Sequence, residues 1–125
     1  MAATLPVDME LKKAFKELQQ KMIETSQKLK MADLQIENLN RNIQHSKLTN
    51  TEISSMPENT RMYLGIGRMF LLTDKDNIKD GLVKKVKTSE DKIKNLQNNK
   101  VYLERSLKES ENNLREMVLQ KKKGQ

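Results

Sequence analysis

The sequence contains no cysteine and no tryptophan, and only one histidine, two prolines and four glycines. Without cysteine, disulfides, thiolate metal sites and cysteine catalysis are excluded. A lone His45 supports neither a histidine metal cluster nor a histidine acid/base pair. Aromatic residues are 3% of the chain: Phe15, Tyr63, Phe70 and Tyr102. Hydrophobic residues make up 35% of 125 positions and charged residues 33%, where an ordinary globular domain is about 45–50% apolar. A chain of this size and polarity builds little core of its own, which counts against a self-contained enzyme with a packed pocket. No apolar run approaches the roughly 20 residues that span a bilayer. The opening Met1-Ala-Ala-Thr-Leu-Pro6 lacks a basic stretch followed by an apolar one, and there is no Asn-x-Ser/Thr acceptor. The expected compartment is therefore the cytosol, with no membrane partner.

Positive charge is abundant and unevenly placed. The formal net charge is +7. Residues 1–46 carry 7 basic and 6 acidic side chains, residues 47–74 carry 3 and 3, and residues 75–125 carry 14 and 8. The excess lies in the last segment, which ends in Lys121-Lys122-Lys123. Such a run can contact acidic surfaces or nucleic acid, or simply solubilise a helix end where cations suit the dipole. No aromatic side chains interleave with it as stacking platforms would.

From Asp8 to Ser46 there is neither glycine nor proline, so one long helix is expected over 8–46, with Pro6 before it and Asp8 as its cap. Glu10, Lys12, Lys13, Lys16 and Glu17 begin a charged face. Apolar residues recur in two heptad series: Phe15, Met22, Leu29, Ile36, Ile43, and Leu11, Leu18, Thr25, Ala32, Leu39, Ser46. A second helix is expected over 75–123, on the series Val86, Ile93, Lys100, Leu107, Leu114 and Leu82, Ser89, Leu96, Leu103, Ser110, Met117. These are a/d seams. So narrow a stripe needs a partner helix. Both seams span 35 residues, Leu11 to Ser46 and Leu82 to Met117, which is about 50 Å of helix each. Equal lengths favour an antiparallel pair within the chain, Ser46 near Leu82 and Leu11 near Met117, over a parallel homodimer. The polar positions Thr25, Ser89, Lys100 and Ser110 loosen such a coil.

Residues 47–74 differ. Thr49-Asn-Thr-Glu52 fits a capping box and suggests a short helical turn ended by Pro57. Thr60-Arg-Met-Tyr-Leu-Gly-Ile-Gly-Arg-Met-Phe-Leu-Leu72 is the most apolar stretch. It reads as a hairpin with strands near 61–66 and 69–73 and a tight turn at Gly67-Arg68. Both of its faces are apolar: in the first strand Met62, Leu64 and Ile66 point one way and Tyr63 and Gly65 the other, and in the second Met69 and Leu71 oppose Phe70 and Leu72. A two-stranded hairpin is marginal alone and leaves open edges. It is therefore expected to join hairpins of other chains in a larger sheet or barrel, the alternative being that it folds back on its own helices.

Two motifs fail. Gly65-Ile-Gly67 lacks the third glycine and the strand–helix unit of a nucleotide loop. Asp74-Lys-Asp76-Asn77 has Lys79 and Lys85 where a calcium loop needs glycine and glutamate. No nucleophile, base and acid can be assembled, so the chain reads as a non-enzyme without cofactor or metal. Function must lie on surfaces. In the antiparallel arrangement Val7, Met9, Leu11 and Phe15 meet Leu114, Met117, Val118 and Leu119 at the end away from the hairpin. Val118 and Leu119 fall outside the heptad register. Methionine suits adaptable apolar contact. This set is either a binding tip for flexible apolar segments or the closure of the coil end.

Helix, single apolar hairpin, helix, with both termini at one tip, resembles a prefoldin subunit of the beta class. Residues 60–72 are similar to the hairpin of that family, as are Pro6-Val-Asp-Met-Glu-Leu-Lys-Lys-Ala-Phe15, Tyr102-Leu-Glu-Arg-Ser-Leu-Lys-Glu109 and Asn113-Leu-Arg-Glu-Met117. The resemblance implies a mainly α fold, one prefoldin-like domain whose hairpin oligomerises into a barrel. It also implies a subunit of a hexameric co-chaperone that works without ATP. The partners would be other alpha- and beta-class subunits, unfolded actin and tubulin chains held at the tips, and the cytosolic chaperonin that receives them. By this resemblance Met62 to Leu72 form the assembly interface and the tip residues contact clients; the lysine run 121–123 is more basic than clients require and suits contact with the chaperonin instead. The competing expectation is a basic coiled-coil scaffold or nucleic-acid-associated protein, in which a two-sided apolar hairpin has no purpose.

Overall fold

Nothing between Pro6 and Pro57 breaks a helix, and none is broken. In the computed structural model, which describes the backbone of residues 5–123 and the side chains of residues 9–122, α1 runs Leu5–Ser55. It is followed by β1 (Met62–Ile66), β2 (Met69–Thr73) and α2 (Lys75–Lys123). Three expectations need correction. The first helix, expected over 8–46 with Pro6 before it, takes in Pro6 in its first turn, where a proline is tolerated, and runs nine residues past Ser46, because nothing before Pro57 breaks it. Asp8 lies inside the first turns of α1 rather than capping it. Thr49–Glu52 does not start a new helical turn: α1 continues through it. The Thr49 hydroxyl donates back to the His45 carbonyl at 2.8 Å, and Thr51 and Ser54 do the same to Lys47 and Asn50. A hydroxyl with a helix already formed N-terminal to it bonds the preceding turn instead of capping the next. The helix stops just short of Pro57, where the preceding residues are pushed out of the α region.

The exit from α1 is tied off locally. Met56 N–H reaches the Ile53 carbonyl at 3.2 Å and Thr60 N–H the Pro57 carbonyl at 3.1 Å. The Lys75 ammonium donates to the carbonyls of Met56 (3.1 Å) and Ser54 (3.5 Å), satisfying acceptors that a helix end leaves open. Asp74 precedes α2, and its carbonyl accepts the Ile78 N–H at 3.1 Å.

The chain forms two compact units. The terminal unit contains Met1–Asp33 and Gln97–Gln125, and the hairpin unit contains Leu34–Leu96. In the terminal unit α1 and α2 run antiparallel. Glu10 pairs with Lys121 at 2.7 Å, Asp33 pairs with Lys100, and the Lys21 ammonium donates to Ser110 Oγ at 2.5 Å and the Ser106 carbonyl at 3.2 Å.

Every α2 seam position named from the sequence is buried or half-buried. In α1 two are not: Phe15 is 50% exposed and Met22 43%. Ala14 and Lys21 face α2 in their place. The protected positions Leu18, Lys21, Thr25 and Leu29 step by three, four and four, an eleven-residue repeat inside the heptads. A strict seven-residue repeat drifts about 20° per heptad against a straight helix, and a four-residue step resets it.

In the hairpin unit Ile43 and Ser89 are buried, and Ser46 is only 1% exposed. Ser46 Oγ and Asn50 Oδ1 are buried without a hydrogen-bond partner among the described residues. They open on a cavity of about 190 Å³ that Leu82 and Val86 also line. Leu82, Val83 and Val86 make its lining mainly apolar. Replacing Asn50 by leucine extends the apolar lining and removes the unmet amide oxygen. The expected result is a rise in thermal stability equivalent to about 1 kcal/mol, the scale of an unmet buried polar group. A lower melting temperature would instead mean that the amide is a satisfied structural element.

Candidate functional site

The hairpin is built by its turn. Gly67 has φ near +60°, and no other described residue is left-handed. A positive φ at the first central position only is the type II′ geometry, whose twist matches that of paired strands. It fixes the register Met62↔Thr73, Leu64↔Leu71 and Ile66↔Met69 on one face, and Tyr63↔Leu72 and Gly65↔Phe70 on the other. Across that last pair, a Cβ on Gly65 would sit 3.8 Å from the Phe70 ring. Met62 alone is buried. Tyr63, Leu64, Ile66, Met69, Leu71 and Leu72 are exposed, and Phe70 most of all at 78%. Within this chain the hairpin's apolar side chains, on both faces, thus remain largely in water.

The terminal unit divides the expected tip residues. Leu114 is buried, and Leu11, Met117 and Val118 are half-buried. Leu114 and Met117 share a cleft of about 260 Å³ with Leu18, Lys21, Glu17 and Asn113. Met9, Phe15 and Leu119 are exposed, at 68%, 50% and 53%. The Val7 side chain lies outside the described residues.

The Glu10–Lys121 pair closes the unit beside these residues. The hydrogen bond from Lys121, reinforced by its charge, holds the Glu10 carboxyl below the usual carboxylate range. The bond to Asp33 raises Lys100, against a smaller cost of desolvation and with help from the charges of Asp33 and Glu104. A lowered carboxyl stabilises the fold above its unfolded pKa and loses that contribution as pH falls through the folded one. A raised ammonium stabilises below its unfolded pKa and loses it only in strong alkali. Both pairs are therefore in place at neutral pH. On acidification below the usual carboxylate range, amide exchange at residues 9–14 is expected to quicken before that of residues 89–96. Simultaneous loss of protection would contradict this.

Among the described residues no three carboxylate, histidine or cysteine side chains are grouped to hold a metal, and no helix is long and apolar enough to cross a membrane. What the geometry presents is a two-sided apolar hairpin and a helix pair with exposed apolar side chains near the chain ends.

The fold is found in known proteins. The model of the prefoldin subunit family matches residues 16–121. The crystal structure of the prefoldin beta subunit from Thermococcus strain KS-1 superposes with a TM-score of 0.69, covering 86% of this chain and 90% of that one; at 21% identity it shows the fold alone. The chain belongs to the prefoldin subunit family, whose members are non-enzymatic chaperone components that assemble with one another. Within it, the chain is similar to prefoldin subunit 1. It is 56% identical to that of Danio rerio over 117 residues, 94% of this chain and 96% of that protein. It is also 56% identical to that of Homo sapiens over 114 residues, 91% and 93%, and 40% identical to that of Arabidopsis thaliana over 107 residues, 86% and 84%.

Sequence reasoning did not separate the two kinds of residue at the chain ends, those that close the unit and those left outward. It also read Glu10, Lys12, Lys13, Lys16 and Glu17 as one charged face. The structure turns Glu10 onto Lys121 and places Glu17 on the cleft shared with α2, while the three lysines have no ion pair or hydrogen bond among the described residues. The available signal was the 3.6-residue period read against α2.

Proposed function

We propose that this chain is one subunit of a hexameric, nucleotide-independent co-chaperone of the cytoplasm, built with other alpha- and beta-class prefoldin subunits. Its hairpin, Met62 to Leu72, joins theirs in a shared barrel. Its terminal unit holds unfolded chains, actin and tubulin among them, and gives them up to the cytosolic chaperonin. The observation that carries the reading is a hairpin apolar and exposed on both faces in a member of this family. A sheet of that kind is stable only when both faces are covered.

Capture is multivalent. Met9, Phe15 and Leu119 offer little apolar area, so each contact is weak. Several tethered subunits raise the effective concentration, and together hold one client firmly. Release then needs only competition. The polar seam positions Thr25, Lys100 and Ser110 keep the terminal unit adaptable to clients of different size.

The test is suppression of aggregation of denatured actin by the assembled complex. Changing Met9, Phe15 and Leu119 together to serine is expected to lower suppression several-fold with assembly intact. Each is exposed, so the fold tolerates the change. Unchanged suppression would remove the terminal unit from client binding.

A further inference from the structure

The helix pairing sorts the charges of α1 near its start. Glu10 is drawn to Lys121 and Glu17 turns to the cleft with α2. Lys12, Lys13 and Lys16 are left on the outer face of the same turns. They line a shallow groove with Met9, Phe15 and Gln19. No acidic side chain among the described residues lines it. Lys12 and Lys16 are four apart, an arrangement of like charges that disfavours the helix, and nothing described within the chain offsets it. Met9 and Phe15 are among the exposed large hydrophobic residues of this unit.

We propose that this outer face of α1 binds acidic stretches of extended polypeptide that also carry a bulky apolar side chain. The inference rests on the reading of the terminal unit as client-holding, and gives that site a preference among clients. Charge complementarity selects the acidic stretch. Met9 and Phe15 select the apolar side chain beside it. The spacings agree: four residues of helix advance about 6 Å, and alternate side chains on one side of an extended strand lie about 6.6–6.8 Å apart. The Glu-x-Glu part of a Leu-x-Glu-x-Glu segment can therefore set its carboxylates on Lys12 and Lys16, and its leucine falls toward Met9, which lies about 4.5 Å along the helix from Lys12 and whose flexible side chain spans the difference. The charged part of the contact is exposed, so it weakens with salt.

The test is fluorescence anisotropy on the assembled complex with four labelled probes. The first is a peptide with two Leu-Ser-Glu-Ser-Glu repeats. The second carries glutamine for each glutamate, the third serine for each leucine, and the fourth is an oligothymidylate of equal charge. The first is expected to bind at least tenfold more tightly than any other. Lys12→Gln, Lys13→Gln and Lys16→Gln together should bring it down to the glutamine peptide's level and leave that peptide unchanged. Equal binding of the serine peptide or the oligothymidylate would overturn the proposal in favour of a general cationic face. So would a first peptide indifferent to the three lysines. If the lysine variant keeps the first peptide while the Met9, Phe15 and Leu119 serine variant loses actin capture, the acidic preference fails and the client-holding reading stands. If the serine variant also keeps capture, both fail. All six side chains are exposed, and an unchanged helical circular dichroism spectrum confirms that each variant is folded.

Discussion

Phe70→Asp and Leu71→Asp, made separately, are each expected to release this chain from its complex. The two residues are neighbours on β2 and point to opposite faces of the hairpin, paired with Gly65 and Leu64. Both are well exposed in the single chain, at 78% and 55%. If both faces are covered on assembly, each aspartate buries an unpaired charge. An anchor side chain at the centre of an interface is worth about 2–4 kcal/mol, and every 1.4 kcal/mol is tenfold in affinity. The expected loss is about 30- to 1,000-fold for either variant, read by size-exclusion chromatography with light scattering in the presence of the partner subunits. The helical signal should persist, because neither residue packs in a helix seam. A variant that assembles normally would show that its face stays in water.

Leu114→Ala is expected to loosen the terminal unit while sparing the hairpin unit. Leu114 is the buried α2 leucine of the terminal unit, at 9% exposure, and the floor of the cleft shared with Leu18. Deleting a buried leucine side chain costs about 2–5 kcal/mol. A helix pair a single seam wide has no second layer over which to spread that loss. Amide protection should fall around residues 11–21 and 107–118 and hold near Ile43 and Ile93, because the units open with their own free energies. Leu119→Ala, five residues on and exposed, should stay within about 0.5 kcal/mol of the parent. A uniform loss of protection after Leu114→Ala would mean that the chain unfolds as one cooperative body.

Much of the fold was legible because its determinants are local. The hairpin followed from a glycine at the one left-handed position of a two-residue turn, with alternating apolar residues on either side. The α2 seam was read without error because its polar members, Ser89, Lys100 and Ser110, keep the heptad spacing. The α1 seam was not read fully. Phe15 and Met22 are more hydrophobic than Ala14 and Lys21, but the partner helix decides which side is covered. Lys21 is retained by its bonds to Ser110 and Ser106, which no inspection of α1 alone reveals. Thr49–Glu52 misled for the opposite reason: a capping pattern means a helix start only where a helix is not already running. At the candidate surfaces, residue type marked out the apolar side chains. Their division into closing residues (Leu11, Leu114, Met117) and outward ones (Met9, Phe15, Leu119) depends on the pairing of the two helices.

The central claim is that this chain works as one subunit among others, joined through an apolar hairpin. A tagged copy should be isolated at moderate and at high salt, and the native mass of what accompanies it determined. The account requires a salt-resistant hexameric particle of small coiled-coil chains, since burial of apolar surface is not screened by ions. A lone chain, a homodimer, or a nucleic-acid complex that dissolves as salt rises would contradict it.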